Sequence, residues 1–429
     1  MARNIRKLVK DIIFYGFANG IEALTPLLLA PILTRYLSVH DYGTWAIYLS
    51  LLSFLTPVVG LTLHDSLRMR YFDLCNTKLA RYVSSSLLVT GLVTVFVTLI
   101  VYMLPNEILA YTKFPQLWMW SIFLAAFMYS IYYFTRAIMQ FGNDRKKFII
   151  LQSTQTVITL VLSIILVMND YGWQGCIIAK IIGLSVTAFL GTILIGGRKV
   201  VRIRHVSKDY MSELIIFGIK YLPSGLVAVI VVLTDRLFIA NMLGVEFTAI
   251  YTIGGMFSFG LVIAINAFMF AWLPWLFRKL SGNEEHELRD ILLASILYFI
   301  CLPIAAFVLY MVSIFVAPYL LGDNFHKAIE YIPWLVFAVV FQGYLQHNTG
   351  YMLFKKRTAL ISLCTLIVIA LNFVFNYILI PEYQLLGAAW ATIFSYLVSI
   401  VISFVIIAVL YRNGASNGNE SKESTDLTE

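Results

Sequence analysis

The sequence predicts an all-α membrane protein of about twelve transmembrane helices in two six-helix bundles, and three observations predict it. Of 429 residues, 60% are apolar or aromatic, and exchanging the 25 Tyr for the 25 Gly leaves that share unchanged; soluble domains score about 45–50% on the second set. Charged residues are 13% of the chain, about half the usual share for globular domains, and mean hydropathy is +0.84. Apolar runs of about 20 residues, the length that crosses a hydrocarbon core, recur between short polar connections. Basic residues gather in every second connection, which is a topology signal.

The twelve segments run near residues 11–34, 43–64, 82–104, 117–138, 148–168, 175–196, 214–234, 247–275, 291–316, 331–353, 358–380 and 386–411. The first follows MARNIRKLVK, a basic start like that of a signal peptide, but its apolar run exceeds the 7–15 residues of a signal core and reads as an uncleaved span. An even count puts both termini on one side. With the N-terminus inside, 25 of the 31 Lys and Arg fall in inner segments and four, Arg35, Lys113, Arg236 and Lys327, fall outside. That bias orients the chain N-in and C-in. Trp45, Trp118, Trp120, Trp173 and Trp334 fall near outer ends and Trp272 and Trp275 near an inner end, as interfacial anchors do. The longest connections, 65–81 and 197–213, are too short for a soluble domain, and residues 413–429 form a polar tail that reads as disordered.

Several function classes are excluded. The net charge of +8 is spread among the connections rather than gathered on an aromatic-laced surface, which argues against nucleic acid. Cys75, Cys176, Cys301 and Cys364 form no CxxC pair and read as small apolar residues. No glycine is followed by lysine, so the phosphate-binding pattern GxxxxGK[ST] cannot occur, and there is no HExxH. Energy for any transport must then come from gradients or mass action. The six histidines are scattered and read as ordinary loop or interface residues.

The chain divides into residues 1–212 and 213–412, six spans each, around the longest basic loop, GRKVVRIRHVSKDYMSE. Ile12-Ile13-Phe14-Tyr15-Gly16 opens the first half and Ile215-Ile216-Phe217-Gly218 the second. Equal parity makes them parallel repeats, an arrangement common among transporters.

The residues resemble the polysaccharide or O-antigen flippases of the multidrug/oligosaccharidyl-lipid/polysaccharide superfamily. The resemblance runs nearly end to end. It is densest in Thr349-Gly350-Tyr351, Phe354-Lys355-Lys356-Arg357-Thr358, Asn372-Phe373-Val374-Phe375-Asn376-Tyr377-Ile378-Leu379-Ile380-Pro381 and Leu386-Gly387-Ala388-Ala389-Trp390-Ala391-Thr392. Leu33-Thr34-Arg35-Tyr36-Leu37 with Tyr42-Gly43, and Thr234-Asp235-Arg236-Leu237-Phe238-Ile239, look like the family's exits from spans one and seven. The resemblance implies a V-shaped fold of two bundles in a bacterial inner membrane. Its cargo would be a polyprenyl-pyrophosphate carrying a sugar repeat unit, flipped by alternating access. It implies no resident cofactor, a coupling ion (H+ or Na+), and as partners membrane lipids, a polysaccharide polymerase and a chain-length regulator.

Charges inside spans are the candidate site residues. Glu22 is about eleven residues into span one, roughly 17 Å deep at 1.5 Å per residue, and Asn19 shares its helix face. A carboxyl at that depth is expensive in hydrocarbon; it is either a proton site for antiport or a hydrogen bond between helices. Lys180 and Lys220 either snorkel to the interface or line the cavity, where an ammonium attracts a pyrophosphate or acidic sugar; Ser224 extends the face of Lys220. Arg35, Asp235 and Arg236 lie at outer helix ends and are either gating contacts that latch the bundles or solvated interface charges. Asn372, Asn376, Gln342, Gln346, His347, Asn348, Gln152 and Gln155 either join helices or line the cavity. A multidrug or cation exporter of the same superfamily is the main rival; a membrane polymerase or glycosyltransferase is the other, disfavoured by the short outer loops.

Overall fold

The computed structural model describes residues 25–71, 74, 76–142, 144–196, 206–280, 285–355 and 357–423. Among them every extended element is a helix, and nine stretches are long and apolar enough to cross a membrane. In chain order the helices are α1 (25–36), α2 (Val39–Gly60), α3 (Leu63–Arg70), α4 (Asn76–Met103), α5 (Asn106–Ala110), α6 (Met119–Phe141), α7 (Arg145–Met168) and α8 (Gly172–Leu194). There follow α9 (Lys208–Met242), α10 (Val245–Met256), α11 (Phe259–Leu280), α12 (Glu285–Leu320) and α13 (Ile332–Phe354). The run Thr358–Glu423 is broken at Gln384 (φ 52°, ψ −129°), which makes α14 of residues 358–383 and α15 of residues 385–423.

Each expected span meets a helix, span one over residues 25–34 since its residues 11–24 lie outside the described set, with three refinements. Span two is discontinuous. Helix α2 stops at Gly60, Leu61 and Thr62 turn left-handed (φ 45° and 50°), and α3 starts at Leu63. Span eight divides between α10 and α11 around Phe257 and Ser258. Spans eleven and twelve are separated by a tight turn after Pro381, where a Cβ on Gly387 would sit 2.3 Å from the Leu379 carbonyl oxygen. Only glycine permits that approach.

By contact, the described residues group into two units, one running to Ile253 and including Pro318–Lys327, the other formed by Gly254–Ala317 and the residues from Ala328 onward. Helix α9 packs on α2, α3 and α4 and so lies in the first unit. There, α7 packs closely on α8, and a Cβ on Gly183 of α8 would meet Thr159 Oγ1. Helices in lipid gain from such small-residue contacts because lipid tails are as apolar as leucine and only close packing favours association. An inner core of Leu63, Leu67, Tyr82, Val83, Phe134 and Leu214 ties α3, α4, α6 and α9 together, and Arg70 pairs with Glu213 at 2.6 Å beside it.

In the second unit α13 packs along α11 and the Thr358–Glu423 run. Asn372 donates to Thr392 at 3.2 Å, Asn376 donates to Asn372 at 3.1 Å and Asn348 donates to Ser403 at 2.8 Å. The first and third of these bonds join α14 and α13 to α15, while the second runs along α14 and orients Asn372; interhelical bonds of this kind contribute about 1 kcal/mol each in membranes.

The tryptophans divide in role. Trp120 and Trp334 are exposed, as interfacial anchors require, whereas Trp45, Trp173 and Trp272 are buried. Trp173 packs edge-on against Phe114 and Trp118, and Trp45 stacks on Tyr48. Ring-on-ring contact outweighs the headgroup layer for these three, since offset and edge-on pairs gain beyond simple burial.

Candidate functional site

The break in span two forms one wall of a cavity of about 390 Å³ inside the first unit. Its construction starts with Pro57. Lacking an N–H, Pro57 cannot bond the carbonyl of Ser53 one turn earlier, so α2 is loosened where Ser53, Thr56, Pro57 and Gly60 face the cavity. Ser53 and Thr56 donate to the carbonyls of Leu49 and Leu52 at 2.7 Å, which leaves their oxygen lone pairs for a guest. Leu61 and Thr62 then occupy the left-handed region, at a cost of roughly 1–2 kcal/mol per residue for side chains with a Cβ. Thr62 spends its hydroxyl on the Leu61 carbonyl at 2.7 Å, so it does not cap α3.

Opposite the break stands an aromatic wall from α6. Tyr129 and Tyr133 lie one turn apart with ring centroids 4.6 Å from each other. His64, the second residue of α3, stacks on Tyr133 at 5.4 Å and 26°. Lys180 of α8 reaches over the Tyr129 ring with Nζ 5.1 Å from the centroid. Ser130 and Thr90 add hydroxyls. Arg136 lies behind the wall, 5.8 Å from the Tyr133 ring centre and 5.3 Å from that of Phe148. The lining therefore combines one ammonium, an imidazole, two phenol faces and several hydroxyls, and no carboxylate is among its residues. Such a surface can stack the apolar face of a sugar ring, hydrogen-bond hydroxyl groups and attract an anion.

The sequence-predicted residues are not gathered here as a set. Lys180 lines the cavity, eight residues into α8 and so roughly 12 Å along its axis. Lys220 is exposed on α9 and absent from the lining. Ser224 is one turn further along α9, its side chain outside the described set, and Glu22 and Asn19 lie outside the described residues. Arg35 donates to the Tyr319 carbonyl at 2.9 Å, and Thr34 accepts from the Gly322 amide at 3.0 Å, so the end of α1 holds the last turn of α12 and the residues just after it. Asp235 is buried and accepts from the Tyr251 hydroxyl at 3.2 Å, while Arg236 donates to Ser50 of α2. Those two charges are packed between helices rather than solvated.

Sequence reasoning missed His64, Tyr129 and Tyr133. Pro57, seven residues before His64 in the same apolar run, was the available signal for the break. Nothing local marks the two tyrosines as cavity lining, because the His64 ring and the Lys180 ammonium that meet them come from α3 and α8.

Comparisons with known proteins agree with this architecture. A solved structure of the lipid II flippase MurJ in an inward closed conformation superposes with a TM-score of 0.71 at 14% identity, covering 92% of this chain and 87% of that one. An inward-facing multidrug resistance MATE family transporter of the MOP superfamily superposes with a TM-score of 0.69 at 13% identity, covering 94% and 96%. A protein of the Lsg locus of Haemophilus influenzae is 21% identical over 368 residues, 84% of this chain and 88% of that protein. The chain is thus a multi-pass membrane protein with the fold of MOP-superfamily transporters. Residues 32–330 match the family described as polysaccharide biosynthesis protein, and the chain belongs to that family.

Proposed function

We propose that this protein is a flippase for lipid-linked oligosaccharide. It moves polyprenyl-pyrophosphate-linked repeat units from the cytoplasmic to the outer leaflet of a bacterial inner membrane, for O-antigen or a related surface polysaccharide. The observation that carries the reading is the cavity of the first unit, whose ammonium, phenol faces and hydroxyls suit a sugar-bearing anion. Family membership and the likeness to MurJ support it.

In this reading the chain enters N-in and C-in, the polar head is taken up by protein while the lipid tail stays in the bilayer, and alternating access carries the head across. No covalent step is required. Lys180 attracts the phosphate or acidic sugar, Tyr129 and Tyr133 hold a sugar ring, and Lys220 with Ser224 serves capture from the inner leaflet. Glu22, with Asn19 on its face, takes up a coupling ion; Arg35, Asp235 and Arg236 hold outer helix ends during the cycle. A polymerase and a chain-length regulator act on the delivered units.

The test is expression in cells lacking their own flippase, with outer-face display of repeat units and dye efflux followed in parallel. Restored display without efflux supports the reading. Efflux without display moves the protein to the multidrug exporters, a second reading favoured by the MATE-type fold. Sugar transfer by the purified protein overturns both.

A further inference from the structure

The second unit buries a histidine whose chemistry the cavity reading does not use. His347 on α13 is 1% exposed. Its ring lies in an aromatic box. Trp272 of α11 stacks on it at 4.6 Å and 26°, Tyr298 of α12 at 5.2 Å and 14°, and Phe299 and Tyr351 approach edge-on at 5.2 and 5.6 Å.

A chain of hydrogen bonds selects one tautomer of that ring. Ser403 donates its hydroxyl hydrogen to the Ile400 carbonyl at 2.7 Å, so its oxygen is left to accept, and it accepts from Asn348 Nδ2 at 2.8 Å. Asn348 thereby presents Oδ1 to His347 Nδ1 at 3.4 Å. An amide oxygen only accepts, so Nδ1 carries the hydrogen and Nε2 is a bare lone pair. That lone pair has no hydrogen-bond partner, and neither has the Trp272 indole N–H.

The groups facing the ring are otherwise committed. From α12, the Tyr298 hydroxyl donates to the Gly343 carbonyl at 3.2 Å. On α13, Tyr344 donates to the Phe299 carbonyl at 2.6 Å and Tyr351 shares a hydrogen bond with Ser295 at 2.9 Å. Helix α11 contributes Trp272, and α15 contributes Ser403 through Asn348. Among the described residues no charged group pairs with the ring.

An open acceptor in a buried site costs free energy until something is donated to it, and imidazole is the side chain that takes up a proton near neutral pH. Once protonated at Nε2, the ring keeps its Nδ1 bond to Asn348 and lies between the faces of Trp272 and Tyr298, which attract a cation through their quadrupoles. A hard metal cation would need several oxygen ligands, and this box offers ring faces. We propose that His347 Nε2 is a proton-binding site in the second unit, and that coupling of cargo movement to H+ requires it as well as Glu22. The coupling rests on the transport reading; the proton binding does not.

The test uses the full chain with 15N-labelled histidine in lipid nanodiscs, recorded from pH 4.5 to 8.5. The expected result is one imidazole with a protonated Nδ1 and an unprotonated Nε2 at high pH that becomes doubly protonated on acidification, and that is absent in H347Q. If H347Q does not fold, Trp272→Phe, which keeps a ring on the stack, identifies the same resonance by its displacement. A His347 signal unchanged across the range, or one with the hydrogen on Nε2, overturns the proposal whether or not the protein transports anything. The second arm follows outer-face display with and without a protonophore. Wild type should lose display several-fold on collapse of the gradient, and H347N should display at a low level that the protonophore does not lower further. Normal display and normal protonophore sensitivity in H347N overturn the coupling. A titrating His347 in a protein that displays nothing overturns the flippase reading and leaves the proton site standing.

Discussion

At the scale of single residues, Lys180 is the side chain on which the cavity's charge depends. A hydrogen bond to a charged group contributes about 1.5–3 kcal/mol, and about 1.4 kcal/mol is tenfold in affinity. Lys180→Ala should therefore lower display roughly tenfold or more at equal abundance, with Lys180→Arg retaining part of it. Lys220→Ala should cost less, because Lys220 stands outside the lining; equal losses in the two alanine variants would remove the cavity as the head-group site. A second single-residue case is Glu246 at the start of α10. Its own backbone N–H, and then His40 at 2.8 Å, hold its carboxyl below the usual carboxylate range. A depressed value means that the contact contributes fully above the ordinary value of about 4.3 and is lost as pH falls through the lowered one. Amide exchange in the first turn of α10, compared between wild type and Glu246→Gln, should thus agree less at neutral pH and converge in strong acid. Identical exchange in both at pH 7 would show that the pair holds nothing.

At the scale of elements, a proline and two left-handed residues end α2 and supply the cavity wall. Irregular backbone of this kind is tolerated in a membrane protein where it is buried in protein or lines a cavity. The first turns of α2 and α10 show how closely such elements pack, since a Cβ on Gly43 would fall 2.1 Å from the Val245 carbonyl oxygen. Gly43→Leu must push the two backbones apart. Overpacking costs about 1–3 kcal/mol and occasionally more, so the variant should melt measurably lower in detergent; an unchanged midpoint would mean that the approach relaxes freely. Element existence was legible in the sequence because hydrocarbon demands long apolar helices with paired backbones. The break at Leu61 and Thr62 was not legible, because neither residue prefers a left-handed backbone. Packing of Leu61 and Leu63 with Leu67, Phe134 and Leu214 holds them there.

At the scale of the whole molecule, the decisive prediction is display of lipid-linked repeat units without dye efflux in cells lacking a flippase; efflux alone would reassign the protein. The class of the protein follows from quantities summed over the chain, such as apolar fraction, run length and the bias of basic residues. These sums are insensitive to which helix touches which, so the sequence by itself determined a multi-pass helical membrane protein and, by resemblance, its family. The tertiary structure alone decided which intramembrane groups meet. Lys180 could equally have snorkelled; its place over Tyr129 depends on α6 lying beside α8. Asp235 and Arg236 read as outer-end charges until α2 and α10 supplied Ser50 and Tyr251 as partners. His347 looked like one of several polar groups on span ten, and its bare Nε2 is set by Asn348 and by Ser403, 56 positions along the chain from it. The physical reason is range. Burial in lipid acts on each segment separately, whereas a cavity or a selected tautomer is made of contacts between residues that only packing brings together.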